Sequence, residues 1–380
     1  MSNQLRVKRI CMSMGILGTG GIGRVILNLA DSFLKKGFVV DLVFTGREYG
    51  GRLSEIPNGV NIIQLSTRSR YSLIPAIRYL KKTKPDLIIS AHNHVNALML
   101  IAHRLSGIGK NCFVISTFHT YRSTQLKNST LQGRLYDWLA FRFYGWANKL
   151  VAVSRGVAND IEDSAGLPKG TINVIYNPAW SEEMAVKAKE PCPDPWVADR
   201  SIPLIISAGR LTKEKDFPTL LRAFARLLES LPAQLMILGE GEDRKDLENL
   251  IKQLGLTDHV RLPGHVSNPL SYFSNADLFV LSSAWEGFGN VLVEALGCGL
   301  PIVSTNCPGG AREILADGKY GKMVPVKDDS ELGEAMKRTL ESPPSSEHQK
   351  ERAQQFTFER SANKYLSLFE CGTNNVSQIN

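Results

Sequence analysis

Short apolar, β-branched runs recur along this chain, each followed by a longer stretch of helical periodicity, and the whole series occurs twice. In the first half the runs are residues 10–17, 39–44, 61–65, 87–90, 113–117, 150–153 and 172–175. In the second half they are 204–208, 235–238, 260–262, 278–281, 301–304 and 322–324. Helical patterns such as 22–36, 131–146, 218–231 and 291–297 separate most of them. A strand that reads as a nearly unbroken apolar run is buried on both faces, the condition of a parallel sheet covered by helices. The pattern predicts an α/β fold of two Rossmann-like, doubly wound domains facing each other across a cleft. Between the two series, residues 177–201 carry Pro178, Pro191, Pro193, Pro195 and a cluster of charges, which marks the break. The expected division is 1–178, a linker at 179–201, and 202–357, with a C-terminal helix near 358–371 packing back on the first domain and a loose polar tail.

Composition narrows the class. The chain has 380 residues, 43% hydrophobic and 22% charged, enough for a full core in each of two domains. No apolar run approaches the roughly 18 residues of a membrane span. Residues 1–10 lack the apolar stretch of a signal peptide, so the expected location is cytoplasmic. The six cysteines are scattered without a C-x-x-C pair, which leaves zinc and redox motifs unsupported.

Charge is distributed unevenly. Residues 1–180 hold 23 Lys and Arg against 9 Asp and Glu, a net of +14; since the whole chain is +8, the remainder is −6. No acidic residue occurs between Glu55 and Asp86. That stretch holds Arg68, Arg70, Arg78, Lys81, Lys82 and Lys84, interleaved with Tyr71, Leu73, Ile74, Ile77 and Leu80. A basic amphipathic segment of this kind suits an anionic membrane surface, and a solvated helix face reads the same way. No nucleic-acid-binding motif accompanies the charge, so nucleic acid is not an expected partner.

Two constellations carry chemistry. In Ser282-Ser-Ala-Trp-Glu-Gly-Phe-Gly-Asn-Val-Leu-Val-Glu294 a strand ends, a glycine turn follows and a helix opens, with Glu286 and Glu294 bracketing the turn. Helix N-terminal amides bind anions, and carboxylates beside them accept hydrogen bonds from hydroxyls. A glycosidase pair needs its carboxyls about 5–9.5 Å apart across one bond. An E-x7-E spacing, about 12 Å if fully helical, suits two contact points along one ligand better. In Ser207-Ala-Gly-Arg-Leu-Thr-Lys-Glu-Lys215 a strand end releases Arg210 and Lys215, two cations suited to a diphosphate.

These residues, with the Leu238-Gly-Glu-Gly241 turn and Pro263-Gly-His-Val266, resemble retaining glycosyltransferases of family four, which have the GT-B fold. The resemblance covers nearly the whole chain. It implies that Glu294 meets the ribose of a nucleotide, Glu286 the hydroxyls of the donor sugar, and Arg210 and Lys215 the diphosphate. It further implies that backbone around His265 and Val266 meets the base, and that the amides of Phe288 and Gly289 approach the donor. Segment 290–315 is most similar to members that add N-acetylhexosamines in bacterial surface-glycan assembly. That implies a UDP-linked donor and a lipid-pyrophosphate-linked acceptor, and the family resemblance as a whole implies front-face attack in which the leaving diphosphate helps to deprotonate the acceptor. A sugar-nucleotide epimerase, a phosphorylase and a non-catalytic nucleotide-sugar-binding member share the fold and stay open.

Gly18-Thr-Gly-Gly-Ile-Gly23 matches the dinucleotide fingerprint G-x-G-x-x-G, which alone is a weak signal. A dehydrogenase needs an acidic residue at the end of the second strand, and Asp41 falls near its start. The resemblance instead places Gly20 and Gly21 against the donor diphosphate. It also places His119, in Ile115-Ser-Thr-Phe-His-Thr120, at the donor sugar, although Thr120 stands where the family usually has an acidic residue. His92 and His94 follow another strand and read as loop packing, acceptor contacts or a metal pair. No Asp-x-Asp occurs, so neither a metal nor any other cofactor is expected.

Overall fold

The computed structural model describes residues 9–18, 20–46, 50–66, 69–127, 137–138, 140–198 and 201–377. The chain forms two compact units, 1–178 together with 358–380, and 179–357.

The first unit is built on seven strands: β1 (Arg9–Met14), β2 (Val39–Phe44), β3 (Asn61–Gln64), β4 (Leu87–Ala91), β5 (Phe113–Phe118), β6 (Lys149–Ala152) and β7 (Asn173–Val174). They pair in parallel in the order β3-β2-β1-β4-β5-β6-β7. Alternation decides which side chains face which layer. Ile10, Met12, Met14, Leu87, Ile89, Phe113 and Ile115 join Val25, Leu29 and Phe33 of helix Gly21–Lys35, and Ala362, Tyr365 and Phe369 of helix Phe358–Ser377, in one core. Helix Leu73–Thr83 packs on helix Asn93–Ser106, which in turn meets the turn Tyr144–Trp146. Of the helix expected at 131–146, residues 131–136 and 139 lie outside the described residues; 137–138 and 140–143 are helical and 144–146 form a 3-10 turn.

One buried carboxylate ties several of these pieces together. Asp41, in the third position of β2, is fully buried. Arg9 Nη1 donates to both its oxygens at 3.0 and 2.9 Å, Tyr79 OH at 2.6 Å and Asn61 Nδ2 at 2.8 Å. Strands β1, β2 and β3 and the helix Leu73–Thr83 thus share one ionic hub. Asp41 is therefore committed to the scaffold and is not available to a ribose, which removes the dehydrogenase reading.

The second unit is a six-stranded parallel sheet: β8 (Leu204–Ala208), β9 (Gln234–Leu238), β10 (Val260–Gly264), β11 (Leu278–Leu281), β12 (Ile302–Thr305) and β13 (Lys322–Val324), in the order β10-β9-β8-β11-β12-β13. Helices Phe217–Leu228 and Asp329–Glu341 close its core, with Leu220, Phe224, Leu332 and Met336 buried. The prolines at 178–195 do not mark a free linker. Ala179 and Trp180 donate their N–H groups to the Phe356 carbonyl at 3.0 and 3.2 Å. The Trp180 ring lies so close over Gly297 that a Cβ there would sit 2.3 Å from it. Asp194 pairs with Arg261 at 3.1 Å, and the same guanidinium covers the Trp196 ring at 4.1 Å. Residues 179–198 are part of the second unit.

Replacing Asp41 with Ala leaves the buried Tyr79 hydroxyl and the Asn61 amide without their acceptor. The expected loss is about 1–3 kcal/mol for a group stranded in this way, read as a lowered urea midpoint, with nucleotide affinity unchanged in the folded variant. An intact midpoint would remove the hub, and lost nucleotide binding would return Asp41 to the site.

Candidate functional site

In an open parallel sheet, ligands gather beyond the carboxyl ends of the strands where the chain order reverses. In the second unit that point lies between β8 and β11. The chain leaving β8 is Gly209-Arg210, and it is held by its neighbour: Gly209 N–H donates to Leu238 O at 2.9 Å and Leu211 N–H to Glu240 O at 3.0 Å. The approach is tight enough to require glycine. Gly239 has φ +134°, and a Cβ there would stand 2.0 Å from the Gly209 carbonyl oxygen; one at Gly241 would stand 2.2 Å from that of Leu211. The Leu238-Gly-Glu-Gly241 motif is therefore a clamp that sets the β8 loop.

Lys215 ends the short 3-10 turn Lys213–Lys215, and its aliphatic stem runs across Gly209. Its ammonium pairs with Glu286 Oε1 at 2.5 Å, both side chains being mostly buried, at 16% and 11% exposed. Ser283 Oγ donates to the same Oε1 at 2.7 Å. Oε2 of Glu286 is left with no partner among the described residues. The β8 and β11 ends are laced together as well, with Ser282 Oγ donating to Lys215 O and Ala284 N–H to Glu214 O, each at 2.8 Å. A second glycine pair seats the Glu286 turn: a Cβ on Gly309 (φ +138°) would lie 2.2 Å from the Glu286 carbonyl, and one on Gly310 2.5 Å from that of Phe288.

Arg210 differs from Lys215. It is 65% exposed and held by Glu214 four residues on, at 2.8 Å. Gly289, at φ +101°, caps the helix Asn290–Gly297, on which Glu294 is buried. Phe288 is buried with its ring 5.6 Å from that of Phe356. His265 follows β10 and is exposed, with Val266 half-buried beside it. Glu286, Glu294, Arg210, Lys215, His265, Val266, Phe288 and Gly289 thus all lie on segments at or just beyond the carboxyl ends of β8, β10 and β11. Sequence reasoning passed over Ser283, Glu214 and the Cys307-Pro-Gly-Gly310 loop as parts of the site. A serine three residues before Glu286 and a glutamate four after Arg210 were the signals available.

The first unit reverses its order between β1 and β4. Gly20 is the N-cap of helix Gly21–Lys35, and a Cβ at Gly18 or Gly20 would meet nothing within 4 Å. His92 leaves β4 with φ +78°, a conformation costly for a side chain other than glycine. Its ring stacks on that of His94 at 5.9 Å, and His94 lies over Gly15 at the end of β1. His119, beyond β5, has its Nε2 2.9 Å from Thr117 Oγ1. Burial holds these imidazoles neutral: His119 falls to about 3 through desolvation and the nearby His92, and His92 to about 4 through desolvation and His94. His94 and His103 are lowered too, chiefly by desolvation. Among the described residues, no three or more His, Cys, Asp or Glu side chains are grouped to hold a metal ion.

On the basic stretch, Arg78, Lys81 and Lys82 are exposed on helix Leu73–Thr83 and Lys84 is its left-handed cap. Arg70 lies in the turn Ser69–Tyr71, and Arg68 is outside the described residues. No described helix is long and apolar enough to cross a membrane.

Two parallel Rossmann-like units with this switch-point chemistry define the GT-B class of glycosyltransferase. A glycosyltransferase from Rickettsia africae has the same fold, with a TM-score of 0.78 over 98% of this chain and 100% of that one, at 16% identity. The lipopolysaccharide outer core galactosyltransferase WaaB gives 0.74 over 96% and 99%, at 21% identity. Residues 19–179 match Glycosyltransferase Family 4 and residues 194–356 match Glycosyl transferases group 1. The chain is 30% identical over 336 residues to N-acetylgalactosamine-N,N'-diacetylbacillosaminyl-diphospho-undecaprenol 4-alpha-N-acetylgalactosaminyltransferase of Campylobacter jejuni, covering 86% of this chain and 88% of that protein. It is also 30% identical, over 93% of its length and 96% of the relative's, to the lipopolysaccharide core biosynthesis glycosyltransferase LpsD of Rhizobium meliloti. The chain belongs to glycosyltransferase family 4.

The neutral imidazoles generate a pH dependence. Below pH 6.5, the ordinary histidine value, the unfolded chain takes up protons that folded His92 and His119 refuse until about 4 and 3. The stability these two side chains contribute therefore falls as pH drops from about 7 towards 3. Thermal midpoints between pH 7 and 5, above the carboxylate range, should decline in the wild type and decline less in His92→Gln/His119→Gln. Identical slopes would show that these side chains are not kept neutral.

Proposed function

We propose that the protein transfers a hexose or N-acetylhexosamine from a UDP-sugar, with retention of configuration and without a metal ion, to a lipid-pyrophosphate-linked glycan. The observation that carries this reading is the Lys215–Glu286–Ser283 cluster at the β8/β11 switch point, with Arg210 exposed beside it. A diphosphate offers Lys215 a stronger partner than one carboxylate oxygen, and an ammonium has three protons to share. Arg210 adds a second cation, so the charge that develops on the leaving diphosphate meets fixed positive charge in place of a metal. Glu286 Oε2 accepts a sugar hydroxyl. Glu294 takes the ribose. In the transfer the bond from the anomeric carbon to the diphosphate breaks, the bond to the acceptor oxygen forms on the same face, and the acceptor's proton passes to the departing phosphate. The Campylobacter relative, whose named acceptor is a diphospho-undecaprenol glycan, supports the choice of acceptor.

Calorimetric titration with UDP tests the assignment. Glu294→Ala and Arg210→Ala should each weaken UDP by about tenfold, the worth of one charge-assisted hydrogen bond. Glu286→Ala should spare free UDP and depress transfer, and wild-type transfer should survive EDTA. Unchanged affinity in both of the first two variants would defeat the site, and activity restored only by added Mn²⁺ or Mg²⁺ would defeat the metal-free reading. Epimerised donor without acceptor would select an epimerase.

The same reading places the first unit at an anionic membrane surface, peripheral on the cytoplasmic leaflet. Its support is the face of helix Leu73–Thr83 on which Ile74, 61% exposed, is followed at helical spacing by Arg78, Lys81 and Lys82, with Tyr71, 59% exposed, just before it. Each such cation contributes about 1 kcal/mol near an anionic leaflet. Liposome co-sedimentation should need anionic lipid, weaken with salt and fall in the variant with Arg78, Lys81, Lys82 and Lys84 all changed to Ser. Equal binding to neutral vesicles, or none to either, would leave a soluble acceptor.

A further inference from the structure

The two oxygens of Glu286 are held differently. Oε1 accepts from the Lys215 ammonium at 2.5 Å and from the Ser283 hydroxyl at 2.7 Å, while Oε2 has no partner among the described residues. The two donors are not equivalent. An ammonium has three protons, and a diphosphate can draw them away from a carboxylate. A serine hydroxyl has one proton, and Oε1 takes it. Ser283 is fully buried and is fastened from behind: Thr305 on β12, equally buried, donates its hydroxyl to the Ser283 carbonyl at 2.6 Å. The backbone that follows is fixed too, with Ala284 N–H on Glu214 O at 2.8 Å and Glu286 N–H on Pro308 O at 2.9 Å. A fixed backbone does not fix a carboxylate, because the last torsion of a glutamate is broad and roughly two-fold. Without a further restraint the carboxylate plane turns and its oxygens exchange. The Ser283 hydroxyl supplies that restraint, and it stays on Oε1 when Lys215 turns to a phosphate. All of these groups belong to the second unit.

We propose that Ser283 is a positioning residue: it pins Oε1 of Glu286 and so presents Oε2 at one angle to a hydroxyl of the donor sugar. This rests on the glycosyltransferase reading for the identity of the ligand, while the pinning of the carboxylate does not. A nucleoside diphosphate without its sugar has no hydroxyl to offer Oε2. Ser283 therefore contributes to the affinity that the sugar adds, and not to that of the nucleotide.

Calorimetry with UDP, UDP-N-acetylglucosamine and UDP-N-acetylgalactosamine separates the two contributions. Ser283→Ala should bind UDP as the wild type does and bind the preferred UDP-sugar about tenfold more weakly, the worth of one hydrogen bond to a charged group. Ser283→Thr, which keeps the hydroxyl, should recover that loss. In a Glu286→Ala background, Ser283→Ala should cost nothing further, because the carboxylate it acts through is gone. The same cycle read by urea midpoints, with no ligand present, tests the pinning alone: the two single variants should fail to add. Additive losses in both cycles, or a Ser283→Ala loss that is equal for UDP and UDP-sugar, overturn the proposal, and the Ala variants decide even if the Thr variant does not fold. A wild type that binds UDP but neither sugar nucleotide, with coupled urea midpoints, would count against the choice of donor and leave the pinned carboxylate standing.

Discussion

A parallel strand cannot be reached by a tight turn, so the chain must cross back over the sheet before each new one. Every strand then enters at one edge and leaves at the other. In both units all observed pairings are parallel. The carboxyl edges consequently collect loops from residues far apart in sequence, and the reversal of strand order separates two of those loops enough to admit a ligand. Lys215 and Glu286, 71 positions apart, meet for that reason. So do Gly15 and His94 in the first unit.

What distinguishes the second edge is how closely backbone packs on backbone. Gly239 and Gly241 bring one loop against the β8 exit, and Gly309 and Gly310 bring another against the Glu286 turn. Neither approach tolerates a Cβ. The charged side chains are therefore presented from a rigid frame, and the two cations arrive with different freedom. Lys215 is enclosed and its stem is guided by Gly209, whereas Arg210 sits at the rim on a surface ion pair, which is worth little on its own. An enclosed cation sets position and a rim cation adapts.

Much of this was legible beforehand. The apolar runs located the strands to within a few residues because burial on both faces leaves no ambiguity of period. The motifs at 207–215 and 282–294 located one edge, since function there demands glycine and charge together. Two readings needed the fold. The prolines at 178–195 signal irregular backbone, and irregular backbone can still pack, as Trp180 does on Gly297. Asp41 is acidic near a glycine-rich loop, yet its surroundings, Arg9, Tyr79 and Asn61, come from three other elements that no local pattern connects. The partner of His119 escaped for the opposite reason. Thr117 is only two residues away, but a threonine in an apolar strand gives no hint of where its single proton goes.

The helix Phe358–Ser377 supplies Ala362, Tyr365 and Phe369 to a core otherwise made by residues 10–175. The first unit is thus discontinuous, with the entire second unit inserted in its sequence. During synthesis, which delivers the chain from its N-terminus, the seven-stranded sheet emerges with its Gly21–Lys35 face still missing a helix. It waits bare until some 180 further residues have been made. That interval is when the polypeptide is most open to misassembly, and shortening the last helix would prolong it indefinitely.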